Sequence, residues 1–182
     1  MNLIGRVTLV LFMMGTLVSE ALAGECPALM ASVDVYNRLM SEAIDDEPED
    51  LPKELHRYGR ALASGDTAQA ARIRGEIEKA LAAMQSAKPP IEMSKLHSGL
   101  VDYYGAGVAV IAAREQDDQA AQHAAEIETF VGLKQYFVNI RDVFAEHGCG
   151  EGEVEAINER YLPRLDQHIE AMRNGAPAPA LY

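Results

Sequence analysis

From Cys26 onward, apolar positions recur every three to four residues, the spacing of one buried face of an α-helix. Leu29, Val33, Tyr36, Met40 and Ala43 predict a first helix from Pro27 to about Ile44, with Pro27 at a position that needs no amide partner. Leu55, Tyr58 and Leu62 predict a short helix from Lys53 to Ser64, stopped by Gly65. Asp66 or Thr67 can cap a third, running to about Ala87 on Ala70, Ile73, Ile77, Leu81 and Met84, before Lys88-Pro89-Pro90 ends it. A fourth is expected from Ile91 through Gln116 despite Gly99, Gly105 and Gly107, with a core stripe of Met93, His97, Leu100 or Val101, Tyr104, Val108 and Ile111. After Asp117-Asp118, a fifth should reach His147 with Gly148 as its cap, and its stripe is the cleanest: Phe130, Leu133, Phe137, Ile140 and Phe144. Val154, Ile157, Tyr161, Leu165, Ile169 and Met172 define a sixth, kinked or split by Pro163.

No segment shows strand alternation outside a helical reading, so the fold class is all-α. The Gly65-Asp66 turn and the alanines beyond it resemble a helix-turn-helix repeat unit of the tetratricopeptide (TPR) kind. One such unit is visible, whereas repeat arrays bury their faces by stacking several. The expectation is therefore a helical bundle, or a small TPR-like superhelix, of about six helices with one disulfide. Residues 24–175 should form a single helical domain, and 176–182, alternating Ala and Pro, a disordered tail.

The N-terminus reads as a secretory signal peptide spanning residues 1–23. Arg6 precedes the apolar run Val7 to Val18, and small residues fill the cleavage positions before Gly24. At about 12 residues the run is too short to cross a bilayer, which needs roughly 20, and no later segment comes close. Cys26 raises a lipid anchor as the competing reading, but Glu25 stands where lipid attachment wants a small residue. The expected location is the bacterial periplasm, as a soluble protein. There two cysteines, Cys26 and Cys149, should bond, closing a loop of over a hundred residues worth on the order of 4 kcal/mol. The formal charge of −12 repels phosphate backbones, so nucleic acid is not an expected partner.

Catalytic and metal chemistry find little support. Asp45-Asp46-Glu47-Pro48-Glu49-Asp50 lacks the spacing and central glycine of a calcium loop and reads as a solvated linker. In a hairpin about Asp117, His97 would lie about 30 Å and His147 about 45 Å from the turn, too far apart to share an ion. None of the five histidines has a glutamate three positions before it, the di-iron pattern. Ser94, His97 and Ser98 share a helical region without an oxyanion site or an evident orienting carboxylate. No cofactor or metal is expected, nor catalytic activity.

One run asks for an explanation: Tyr103-Tyr104-Gly105-Ala106-Gly107, in mid-helix. Two glycines there cost about 2 kcal/mol of helix propensity relative to alanine. Close approach of another backbone would offset that, or room for a ligand would use it. Hairpin geometry sets Tyr104 level with Phe130 and Gly107 level with Ile127. The ligand site on this reading comprises His97, Tyr103, Tyr104, Gly105, Gly107, Ile127, Phe130 and Phe137, apolar enough for a lipid or sterol-like molecule. The leading expectation is a non-catalytic adaptor that binds another periplasmic or envelope protein through its alanine-rich, alternately charged helix faces. The alternative is a periplasmic carrier of an apolar small molecule held near Tyr104 and Phe130.

Overall fold

A computed structural model describes residues 26–43 and 51–177. The leader 1–23, the acidic run Asp45 to Asp50 and most of the tail, 178–182, lie outside the described residues. Within them the chain is helical, with no strand. The helices are α1 (Pro27–Ala43), α2 (Leu51–Ser64), α3 (Thr67–Ser86), α4 (Ser94–Glu115), α5 (Gln119–Glu146) and α6. The last runs without a break through Glu151–Ala156, a π turn at Ile157–Tyr161, and Leu162–Arg173. Ile91–Met93 forms a 3-10 turn ahead of α4.

Local chemistry sets these limits. Asp66 and Asp118 cap α3 and α5, their carboxylates accepting from the amides of Gln69 and Ala121 at 3.0 and 2.9 Å. Gly65 and Gly148 hold left-handed backbone, φ 75° and 66°, at the ends of α2 and α5. At each, the following amide reaches back to an orphan carbonyl: Asp66 N–H to Ala61 and Cys149 N–H to Phe144. Asp117 does the same job after α4 at φ 52°, conformational work usually left to glycine. Helix α2 as described, Leu51–Ser64, includes Leu51 and Pro52 ahead of the predicted start at Lys53. Pro163 splits nothing: the chain widens into a π turn closed by Leu162 N–H to the Ile157 carbonyl, then continues as α-helix.

The six helices form a bundle around one contiguous core, to which α1 gives Leu29, Val33 and Tyr36, α3 gives Ile73, Ile77 and Met84, and α6 gives Ile157 and Leu165. The α4–α5 hairpin is its most extensive contact. Two glycines let these helices meet. A Cβ added to Gly132 would stand 2.9 Å from Tyr103 Cα, and one added to Gly99 would stand 3.2 Å from Tyr136 Cα. The seam is reciprocal, with Gly99-Leu100-Val101-Asp102-Tyr103 on one helix facing Gly132-Leu133-Lys134-Gln135-Tyr136 on the other. Each glycine receives the backbone of the partner's tyrosine.

A disulfide joins Cys26, at the mouth of α1, to Cys149, between α5 and α6, with Cα atoms 6.2 Å apart. The rest of α1 packs mainly on the 3-10 turn and α3. Helix α6 is seated on α5 by aromatic pairs: Phe137 and Tyr161 stack with centroids 5.1 Å apart, and Phe130 lies 4.3 Å from His168. Lys134 adds an ion pair to Asp166. Among the described residues, no helix is long and apolar enough to cross a membrane.

Candidate functional site

The residues named from the sequence do not gather at one locus. Tyr103 is level with Gly132, so Tyr104 is level with Val131, one residue from the expected Phe130. The axial position was therefore legible; the direction was not. Phe130 and Phe137 turn to α6, where they pack on His168 and Tyr161. Ile127 is half-buried, and Tyr103 lies along the α4–α5 seam with its ring edge-on to Tyr104 at 5.7 Å.

The glycine explanation also needs correction. Gly107 meets no neighbouring backbone: its added Cβ would be 2.9 Å from a methyl of Leu51, so this glycine makes room for a side chain of α2. Gly105 has nothing within 4 Å of an added Cβ. The backbone contacts sit instead at Gly99 and Gly132.

His97 and Tyr104 belong to a different place, the interior that α1 covers. His97 is 8 % exposed, bridging α3 and α1: Nε2 lies 2.9 Å from the Met84 carbonyl, and Nδ1 lies 3.2 Å from the Tyr36 hydroxyl. A carbonyl only accepts, so Nε2 carries a ring proton. With that as the ring's one proton, Nδ1 accepts from the Tyr36 hydroxyl. The Tyr36 and His97 rings meet edge-on at 5.8 Å. Ser94 takes no part; its hydroxyl donates to the Pro90 carbonyl.

Tyr136, one residue before Phe137, completes this interior and was missed in the sequence. It is 2 % exposed, and its hydroxyl has no hydrogen-bond partner. Burial pushes its pKa well above the ordinary tyrosine value, and the hydroxyls of Tyr36 and Tyr104 push the same way. Burial alone raises Tyr36. Both therefore stay neutral at physiological pH. The signal available in the sequence was the repeated Gly-Leu-x-x-Tyr, which places Tyr136 and Tyr103 in matching positions.

A second polar cluster ties α2, α3 and α4 together near the hairpin turn. Tyr58 donates to Glu115 at 3.0 Å, Arg74 holds both Glu115 oxygens at 3.0 Å, and Arg74 Nε reaches Glu78 at 2.8 Å. The Tyr58 pKa is pushed up to about 12 by burial first, then by the Glu115 hydrogen bond and charge, against Arg74 and Arg114. Every group here is matched, as expected of a fastening between helices. Among the described residues, no three His, Cys, Asp or Glu side chains group as metal ligands.

Comparison of the chain with protein-family models, with curated proteins and with solved structures gave no match.

Proposed function

We propose that this chain is a non-catalytic binding protein of the periplasm that carries a small apolar molecule in the interior beneath α1. The observation that carries this reading is the Tyr136 hydroxyl, buried without a partner. An unmet buried hydroxyl costs about 1–3 kcal/mol, and phenylalanine would fill the same ring space without that cost. A guest that pairs with the hydroxyl gives tyrosine a use. The leader-like run Val7 to Val18 and the Cys26–Cys149 bond support an oxidising compartment outside the cytoplasm. The reading keeps Tyr104 and His97 from the site first expected and moves the ligand away from Phe130, which packs on His168. Native mass spectrometry of protein purified from its own host, followed by analysis of an organic extract, tests it. A reproducible non-covalent adduct is expected; a bare chain in repeated preparations would count against a carrier.

The adaptor reading is favoured by a separate observation. Ile91 is 84 % and Val35 52 % exposed, and the hydrogen bond from Ser32 to Glu92 brings their two segments together. Val35 is one turn from Ser32 on α1, so the two apolar side chains flank one corner of the surface. Crosslinking in intact cells, with Val35→Glu and Ile91→Glu as controls, tests this corner. One crosslinked partner lost in both variants would support an adaptor.

A further inference from the structure

We propose that Tyr136 is the specificity-determining hydrogen-bond donor of this interior, and that it selects an apolar molecule carrying a neutral carbonyl oxygen. The inference rests on the carrier reading and gives its ligand a chemistry. Of the hydroxyl protons that the structure places around Tyr136, that of Tyr36 is committed to His97 Nδ1, because His97 Nε2–H is held by the Met84 carbonyl. The Tyr136 proton is uncommitted. The unmet Tyr136 hydroxyl can donate and accept, and its O–H, the stronger partner of the two, is met by a guest that supplies an acceptor.

Charge narrows the guest further. Tyr36 and Tyr104, the groups that act on Tyr136, are both phenols and supply no counter-charge. A carboxylate or phosphate would enter an apolar core with no counter-charge and one donor, which does not offset desolvation of the ion. A ketone, ester or quinone oxygen loses little hydration and gains the Tyr136 hydrogen bond in a medium where that bond is strong. Water shares the acceptor chemistry, and the experiment below separates it from an organic guest.

Access follows from how α1 is attached. The disulfide pins its N-terminal end, while along its length, among the described residues, polar ties run from Tyr36 to His97 and from Ser32 to Glu92. Opening α1 about Cys26 breaks these ties and exposes the buried Leu29, Val33 and Tyr36, so a guest enters through a transient local opening that leaves the α4–α5 seam in place.

The test uses Prodan, a naphthyl ketone whose emission reports both polarity and hydrogen bonding at its carbonyl, titrated into the oxidised full chain and its Tyr136→Phe and Phe130→Ala variants. Tyr136→Phe keeps the ring and removes an unmet hydroxyl, so it should fold at least as stably as the parent. Saturable binding of one probe per chain is expected. Tyr136→Phe should weaken it about tenfold and shift the bound emission to the blue, while Phe130→Ala leaves both unchanged. Saturable binding that ignores Tyr136→Phe but falls with Phe130→Ala would overturn this proposal and leave a carrier with its site elsewhere. No saturable binding, with Tyr136→Phe simply more stable, would leave water as the partner of Tyr136 and overturn the proposal together with the carrier reading.

Discussion

The seam between α4 and α5 and the interior beneath α1 share residues yet are built on opposite principles. Along the seam, Gly99 and Gly132 let two backbones meet, and each glycine is matched to a tyrosine of the other helix. A methyl added at either glycine would press on that backbone, and close packing stabilises the seam. A few residues away, the contents change to Tyr36, His97, Tyr104 and Tyr136, one hydroxyl is unmet, and the covering helix is held by a disulfide, by hydrogen bonds from Tyr36 and Ser32, and by the burial of Leu29 and Val33. The contrast is between a seam whose packing is matched and an interior that keeps one unmet hydroxyl, where the proposed guest would bind.

Removing the covalent tie should have the largest effect. Replacing Cys26 and Cys149 together by serine frees a loop spanning 123 residues of sequence separation, and the expected loss is about 4 kcal/mol in denaturant unfolding. An unchanged midpoint would mean that packing alone holds α1, which would erase the contrast.

Alkali should act next, and on the tyrosines. A folded-state pKa above the unfolded value means the native protein keeps a proton that the unfolded chain releases. Stability is then fully present below about pH 10 and is lost as pH rises, at about 1.4 kcal/mol for each pH unit and each retained proton. Tyr58, raised to about 12, should contribute between pH 10 and 12, with Tyr36 and Tyr136 adding to it. Unfolding midpoints across this range check the slope, and Tyr136→Phe should flatten it.

The glycines separate the seam from its surroundings. Gly132→Ala pushes a methyl against the Tyr103 backbone and should cost about 2 kcal/mol even after the gain in helix propensity. Gly107→Ala presses on a Leu51 methyl that can turn aside, so its loss should be smaller. Gly105→Ala meets nothing and should stabilise by up to about 1 kcal/mol. Urea unfolding of the three variants orders them, and a Gly105 loss equal to that of Gly132 would contradict the seam's placement.

What the sequence made legible follows from which forces are local. Pro27, Gly65, Asp66, Pro89-Pro90, Asp118 and Gly148 act within a turn of where they stand, so the start of α1, the end of α2 and both ends of α3 to α5 came out within a few residues. The two cysteines had one intramolecular pairing open to them. Helix rise fixed which residues of α4 and α5 are level, to within one position. It did not fix rotation about the axis, where one residue turns a side chain by about 100°. Phe130 consequently faces α6 rather than Tyr104. Helix α5 is buried on two sides, by α4 and α6, and its phenylalanine stripe drew attention from Gly132 and Tyr136 on the other face. The split at Pro163 is absent, and the π turn before it leaves no mark in the hydrophobic periodicity.

Native-state hydrogen exchange tests the contrast most directly, because it reads the opening free energy of each helix in one experiment. The account predicts that amides of α1 around Val33 to Tyr36 exchange through a local opening at least about 2 kcal/mol below the global value, while those from Gly99 to Tyr103 and Gly132 to Tyr136 exchange only with global unfolding. If α1 and the seam open with the same free energy, α1 is part of the scaffold and the interior beneath it is sealed.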